Sequence, residues 1–373
     1  MFRFALRFAL YDRAKSIGVI LGIVVSTFLV GQQVGIFLFL TGSMSSLVDN
    51  TEADIWVIDS RTTDANALGA IDVRIGRQAE SVPGVAAVYP LIVSGGRARF
   101  EGGKSSPVTV VGSQPPAFRG GPWKIQYGDL SELVEESAVA IDHYDRGELN
   151  DATVGTRFEI GGRTVRVAVQ TKGVRSFGGI YVFSTLETAR VVTRFPLNDV
   201  SAFLIDVEEG ADPVAVRDRL NATLPNVRAW TKRGLSETTV DTILSSSGIA
   251  YSIGTLVVFA FIAGMVIIGL TMYSAAVDRT RDYGTLKAIG AKNGYIRNLI
   301  LVQALAFALI GYGVGVALVE LFRNAIASSG VIYDYGTTFR IVFFLLTLAI
   351  ALGGAVFAMR RIASLEPASV FKN

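Results

Sequence analysis

Two stretches carry residue types from which chemistry is made. The first is "ARFEGGKSSPVTVVG", Ala98 to Gly112, in which Ala98, Gly103, Lys104 and Ser105 fit a loosened nucleotide-loop pattern of a small residue, a spacer, then Gly-Lys-Ser. A phosphate-binding loop requires a strand, a glycine-rich turn and then a helix whose free amides meet the phosphates. Here Pro107 follows two residues after Ser105, "VTVV" alternates like a strand, and "RARF" before the turn alternates as well. That pattern predicts a β-hairpin with a Gly-Gly turn and a solvated lysine. The second stretch is "AIDHYDRGELN", where the only histidine, His143, stands beside Asp142 and near Asp145. An imidazole among carboxylates can serve acid–base or metal chemistry, but no second nitrogen ligand exists and the context is a strand end, so a surface or structural role is expected. With no serine-histidine-acid set and no paired carboxylates, the chain is expected to hold no catalytic, metal or cofactor residues of its own.

The elements around these stretches are set by charge. The 373 residues are 50% hydrophobic and only 18% charged, against about 25% charged in soluble domains. Residues 16–48, 242–277, 298–319 and 341–359 contain no Asp, Glu, Lys, Arg or His. A hydrocarbon core about 30 Å thick takes about 20 helical residues, so each run can span. The first run is too long for a cleaved signal peptide and no small-residue cleavage site follows a short core. The expected fold is therefore membrane α-helical, with four transmembrane helices and an α+β extracytoplasmic domain inserted between helices 1 and 2. Having no cysteine, that domain cannot use disulfides.

The layout follows. Residues 1–15 form an interfacial amino-terminal helix, with Arg3, Arg7, Tyr11 and Lys15 four apart, or merely a basic flank. Residues 16–48 are the first span and a stalk, 49–235 the outer domain with a β-rich insert at about 115–196, and 236–277 a second stalk and span. Residues 278–297 are a connector, 298–320 the third span, 321–340 a short outer loop, 341–359 the fourth span and 360–373 a tail. The excess of lysine and arginine marks the cytoplasmic side. It lies at Arg3, Arg7, Arg13 and Lys15, at Arg279, Arg281, Lys287, Lys292 and Arg297, and at Arg360, Arg361 and Lys372. Both termini and the connector are thus placed in the cytoplasm and the large domain outside. A net charge of +3 needs no nucleic acid to explain it, since anionic inner-leaflet lipid suffices.

In the outer domain "ADIWVID" reads as a strand, and "DVRIGRQAESVPGVAAVYPLIV" as a helix stopped at Pro83-Gly84 followed by a strand. "VSAFLIDVEEG" is a strand, "ADPVAVRDRLNATL" a helix capped by Asp212 with Pro213 in its first turn, and "PNVRAW" a returning strand. These early and late units are expected to pack as one α+β subdomain, with the insert as a second. The charge-free run 242–277 is too long for the bilayer alone, so its polar outer part, "DTILSSSGIAYS", is expected to continue the helix outward. Within the spans, Gln32 and Gln33 must find partners, as helix-to-helix glue or as a substrate contact. Gly31 with Gly35, and Gly311 with Gly315, have the spacing that permits close helix approach.

In the connector, Tyr283, Leu286 and Ile289 recur every three residues amid charge, which predicts a short helix with an apolar stripe, or an ordinary snorkelling loop. Gly290 can end it in the left-handed conformation, and Asn293 can cap the next helix. The whole segment, "RTRDYGTLKAIGAKNGYIRNLILVQAL", resembles the coupling segment of ABC-transporter permeases of the FtsX, LolC and MacB kind, and "DYGTLKAIGA" is most similar to the DevC branch. "LYDRAKSIGVILGIVVSTFLVGQQVGIF" and "ADIWVID" are similar to DevC starts, and "RRIASLEPASVFK" to the tail in which Pro367 ends the last helix region. The resemblance covers the whole chain.

The resemblance implies a non-catalytic membrane subunit that works as a homodimer in the bacterial inner membrane. A separate cytoplasmic ABC ATPase, binding ATP and Mg, would move the coupling helix, because this chain carries no fused ATPase domain. Arg281, Asp282, Tyr283, Gly284, Thr285, Leu286, Lys287, Ala288, Ile289 and Gly290 are the residues it would contact. Motion would pass through stalks from Ile17 and Gly248 to the outer domain, and relatives of the DevC type pair with a membrane-fusion protein and an outer-membrane channel. The competing readings are an FtsX-like signal transmitter that activates an extracytoplasmic hydrolase, a lipoprotein-releasing permease, and a solitary sensor or enzyme using the Lys104 loop.

Overall fold

The computed structural model describes residues 13–278 and 280–363. Most of the expected amino-terminal helix, the tail from residue 364 with Pro367, and Arg279 lie outside the described residues. Two compact units form. One takes the described residues up to Leu38, Ile249–Ala327 and those from Val331 on; the other takes Phe39–Gly248 with Ser328–Gly330.

Helix α1, Arg13–Met44, is followed after Ser45 by a short helix α2, Ser46–Asn50. The chain then enters the β-rich unit: β1 Ile55–Asp59, β2 Ile71–Asp72, α3 Arg74–Glu80, β3 Val85–Arg99, β4 Ser105–Ser113, β5 Ile125–Tyr127, β6 Ala138–Asp142, β7 Arg157–Ile160, β8 Arg163–Thr171 and β9 Tyr181–Thr185. Helix α4, Leu186–Thr193, leads to β10 Asp199–Val200, β11 Ala202–Val207, α5 Pro213–Thr223, β12 Val227–Thr231 and α6 Lys232–Ser247.

Strand β1 is buried on both faces, as an inner strand of a covered sheet must be. It lies between β11 and β12, antiparallel to both. Ile55 and Val57 share a core with Ala79 and Val82 next to α3 and with Val216 and Leu220 of α5. The Asp212 carboxylate accepts the Val214 amide at 3.0 Å, which with Pro213 in the first turn starts α5 where the sequence places it. Trp56 and Ile58 belong to the opposite core, with Leu47 and Val48 of α2 and Leu235 of α6. The two ends of the domain are therefore rooted on one face of β1. Lys232 Nζ donates to the Thr51 carbonyl at 2.6 Å, Asn66 Nδ2 to the Met44 carbonyl at 2.7 Å, and the Ala65 amide to Thr239 Oγ1 at 3.1 Å.

The β-rich insert is not a separate subdomain. Strand β3 pairs with β4, β4 with β9 in parallel, β9 with β6, β6 with β8 in parallel, β8 with β7, and β7 again with β3. The six strands close into a circuit, which removes the free edges that an isolated sheet would expose. Its core holds Ile92, Ala98, Val108 and Val110 from β3 and β4 together with Val139, Ile141, Phe158, Val165, Val167 and Val182. The long hairpin β3–β4 thus serves both halves, because β3 also pairs with β11. Counting turns and strands could not show that one hairpin is shared.

That hairpin also settles the "GGKS" stretch. Arg99 pairs with Ser105, and Gly102 and Gly103 turn the chain at φ of 89° and 85°. No helix follows, so no row of helix amides is available for a phosphate.

His143 begins a one-turn 3-10 helix capped by Asp142, whose buried carboxylate accepts from the Tyr144 amide, Thr171 Oγ1 and the Val174 amide at 2.9, 2.9 and 2.8 Å. Asp145 is buried against Arg175, its ion-pair partner. Burial pushes the Asp145 carboxyl up to about 7, opposed by the Arg175 guanidinium and reinforced by the charges of Asp142 and Glu148. Among the described residues, no group of three or more His, Cys, Asp and Glu side chains could hold a metal ion.

The polar run expected to continue the second span as one helix is broken. Helix α6 ends at Gly248, which is left-handed at φ 68°, and α7 begins at Ile249 and runs to Asp278. A glycine after three serines allows this stop, which a count of charges does not register. Then come α8 Thr280–Ala288, α9 Asn293–Ala327 and α10 Thr337–Ala363. Four helices, within α1, α7, α9 and α10, are long and apolar enough to cross a membrane. Helix α9 continues past Glu320, expected as the edge of a loop, because Arg323 pairs with Glu320 one turn back at 2.9 Å and with Asp334 at 3.2 Å. The outer connection is correspondingly short.

In this helical unit α1 is the common neighbour. A β-carbon placed on Gly311 would come within 2.5 Å of Ile23 Cγ2, on Gly315 within 2.7 Å of Thr27 Cβ, and on Gly31 within 2.6 Å of Val319 Cγ2. Gly35 meets the Tyr333 ring as closely. The four glycines singled out by spacing lie at such contacts. Gly22 against Ile267, Gly264 against Ser26 and Gly354 against Ile268 do the same for α7 and α10; Gly22 stands four residues after Gly18, a GxxxG spacing that sequence reasoning missed, while Gly264 and Gly354 have no such partner. Gln32 and Gln33, expected to bind partners, are half-buried and hydrogen-bond to no other described residue.

Two outcomes follow. Replacing Gly315 by valine should lower the unfolding temperature of the full chain in detergent, with an overpacking cost of about 1–3 kcal/mol. Gly313→Ala, where a β-carbon meets nothing within 4 Å, should not lower it and should raise it slightly, since alanine is the better helix former. Asp145 binds a proton more tightly folded than unfolded, so its contribution to stability is complete below the unfolded value of 3.8 and is lost as pH rises through about 7. Thermal unfolding compared between pH 5 and pH 8 should show a steeper loss for the parent than for Asp145→Asn; equal slopes would refute the assignment.

Candidate functional site

The connector folds into α8 and the turn that ends it. The Gly290 amide donates to the Lys287 carbonyl at 3.0 Å and the Ala291 amide to the Leu286 carbonyl at 2.9 Å. With Gly290 at φ 99°, this is a Schellman ending, a geometry that a side chain with a β-carbon adopts only with strain. Gly290 therefore ends the helix as the sequence indicates. The next cap is different. The first amide bonds of α9 run from Tyr295 and Ile296 to the Lys292 carbonyl, so Lys292 occupies the cap position and Asn293 is already the first helical residue. An asparagine one residue into a helix cannot serve as its cap.

The expected apolar stripe is divided between two destinations. Tyr283 is only 3% exposed and belongs to the core that contains Val19 and Ile23 of α1, Ile268 and Met272 of α7, and Ile296, Leu299 and Ile300 of α9. Leu286 packs against the same core. Ile289 is 76% exposed. At three-residue spacing a stripe drifts around the helix by about 60° per step, so its last member leaves the buried face. Gly284 is buried, and Lys287 is half-buried. The accessible face consists of Arg281, Asp282, Thr285, Ala288 and Ile289, with Gly290 at its end. Thr285 Oγ1 is tied back to the Arg281 carbonyl at 2.9 Å, which leaves a short, stiff surface of two opposite charges and one large apolar side chain.

The ten residues singled out in the connector are contiguous in the chain but fall into sets: Tyr283, Gly284 and Leu286 hold the helix to its neighbours, Lys287 is half-buried, and Arg281, Asp282, Thr285, Ala288, Ile289 and Gly290 face outward. The packing glycines lie elsewhere, along α1 and α9. What sequence reasoning missed is the anchoring role of Tyr283. The available signal was its position next to the glycine Gly284, which is also buried.

Comparison with known proteins places the chain in a family. Residues 16–223 match the MacB-like periplasmic core domain and residues 254–367 match the FtsX-like permease C-terminal domain. The chain is 25% identical over 380 residues to the macrolide export ATP-binding/permease protein MacB of Shewanella oneidensis, covering 94% of this chain and 56% of that protein. It is 26% identical over 360 residues to an uncharacterized ABC transporter permease of Mycobacterium tuberculosis, covering 90% of this chain and 91% of that one. Among solved structures, the periplasmic region of MacB from Actinobacillus actinomycetemcomitans aligns at 12% identity with a TM-score of 0.39, covering 52% of this chain and 97% of that region. The chain spans little more than half the length of the Shewanella relative. Since the periplasmic-core match alone takes in more than half of the residues and the permease match takes in the connector and the last three helices, the chain belongs to the MacB-like and FtsX-like family of ABC-transporter permeases.

Proposed function

We propose that the chain is the permease subunit of an exporter in which a separate cytoplasmic ATPase, closing on ATP and Mg, moves α8, and α1 carries that motion to the outer domain. The observation that supports this is the course of α1. At one end Val19 and Ile23 share a buried core with Tyr283 of α8. At the other, Met44 is 1% exposed and its carbonyl is held by Asn66 of the β-rich unit. The helix runs Arg13–Met44, and from Val19 to Met44 it rises about 38 Å at about 1.5 Å per residue. A hydrogen-bonded rod of that length transmits displacement with little loss, because bending it requires breaking or stretching its internal bonds.

In this reading the ATPase contacts Arg281, Asp282, Thr285, Ala288 and Ile289. The short domain roots on the Trp56 face of β1 receive the movement, and cargo is acted on outside the membrane. The helices lie in the bacterial inner membrane as a homodimer, with the large domain periplasmic and a membrane-fusion protein and outer-membrane channel as further partners. Membership in the DevC branch rests on "DYGTLKAIGA".

The test separates anchoring from docking. Ile289→Asp should weaken co-purification of the partner ATPase at least about tenfold, equivalent to about 1.4 kcal/mol, while leaving the unfolding temperature of the permease unchanged. Tyr283→Asp should lower the unfolding temperature. With spin labels on the outer domains of the reconstituted dimer, ATP should change the label distance in the parent and not in Ile289→Asp. Full ATPase association and an intact distance change in Ile289→Asp would refute the proposal.

A further inference from the structure

The hairpin that resembles a nucleotide loop lines a cleft of about 860 Å³, open to solvent, on the outside of the strand circuit. Arg97 and Arg99 are exposed on β3 on either side of the buried Ala98, and Arg157 is exposed on β7 beside the buried Phe158. Strands β3 and β7 pair at Arg99 and Glu159, which brings the three guanidinium side chains to one wall, with Lys104 at the turn. The volume is that of a small-molecule site.

The charge there is only partly compensated. Some arginines of the domain sit on carboxylates, as Arg61 does on Asp59, Arg74 on Asp72, Arg119 on Asp206 and Arg175 on Asp145, and others on neutral groups, as Arg219 does on the Pro83 carbonyl and Arg228 on the Trp230 ring; what distinguishes the cleft is that several unpaired cations gather in one place. Among the described residues, none of Arg97, Arg99, Lys104 and Arg157 has a carboxylate partner. Arg97 Nη1 reaches only the Ser105 hydroxyl at 3.2 Å, and Lys104 Nζ the Gly147 carbonyl at 2.7 Å. Neutral partners fix these side chains without cancelling their charge. Glu101 and Glu159 share the lining, so four cations face two carboxylates. That excess favours a doubly charged anion over a singly charged one, and the planar fork of arginine matches the oxygens of a phosphate two at a time.

We propose that this cleft binds a phosphate-bearing ligand through the guanidinium groups of Arg97, Arg99 and Arg157. Recognition is by side chains, since the hairpin supplies no helix amides, and nothing at the site activates a nucleophile, so the ligand is bound and not hydrolysed. The phosphate belongs either to a soluble compound or to a lipid headgroup.

The full chain, purified in an uncharged detergent at low salt, is titrated calorimetrically with inorganic pyrophosphate and, separately, with soluble dihexanoyl phosphatidic acid. Saturable binding is expected for at least one. The double variant Arg97→Ala, Arg157→Ala should weaken it at least about tenfold, and Arg97→Lys, which keeps the charge and loses the fork, should weaken it several-fold. Arg217→Ala, paired with Asp218 on α5, should have no effect. Tighter binding of the phosphatidic acid assigns the site to a headgroup, and tighter binding of pyrophosphate assigns it to a soluble phosphate. The proposal is overturned if neither probe saturates by about 10 mM, if the double variant binds as well as the parent, or if succinate binds as tightly as pyrophosphate.

Discussion

The helical unit depends on how closely α1 can be approached. In a bilayer apolar side chains are as well solvated by lipid as by each other, so helices associate through tight van der Waals contact and not through burial from water. Close contact needs positions without side chains. Gly311 and Gly315 admit Ile23 and Thr27, Gly31 admits Val319, and Gly22 and Gly264 allow α1 and α7 to meet at Ile267 and Ser26. Thr27 and Thr347 add a hydroxyl pair at 3.4 Å. The helix at the centre of these contacts runs on to Met44.

The outer domain meets a different constraint, since here burial from water does the stabilising. Its sheet is covered on both sides around β1 and closed on itself beyond β3. Closure leaves a polar residue to be accommodated wherever a strand ends inside the circuit. At the end of β6 this falls to Asp142, which accepts three hydrogen bonds, and to Asp145, whose burial is offset by Arg175 and still raises its affinity for a proton. The acids near the single histidine are thus used to end a strand and turn the chain. Their proximity in sequence to an imidazole reflects turn chemistry, in which aspartate side chains bond backbone amides two residues on.

The connector combines the two regimes. Tyr283 and Leu286 hold α8 to the membrane helices, and the Schellman turn at Gly290 aims the chain back into α9. Of the three apolar stripe residues only Ile289 stands exposed.

What the sequence by itself determined is whatever depends on composition along the chain. Charge-free runs locate the four membrane helices, alternation locates β1, β3, β4 and β11, and Asp212-Pro213 and Gly290 mark a helix start and a helix end, because each of these signals acts over a few residues. The tertiary structure decided what depends on residues distant in sequence. The closing of β3 onto β7, the sharing of one hairpin by two halves, the sorting of Tyr283 and Ile289 to opposite faces, and the gathering of Arg97, Arg99 and Arg157 around one cleft are all set by packing partners. The break at Gly248 belongs between the two: the glycine was legible, but a glycine permits the left-handed conformation without requiring it, and the structure shows the chain taking it at φ 68°.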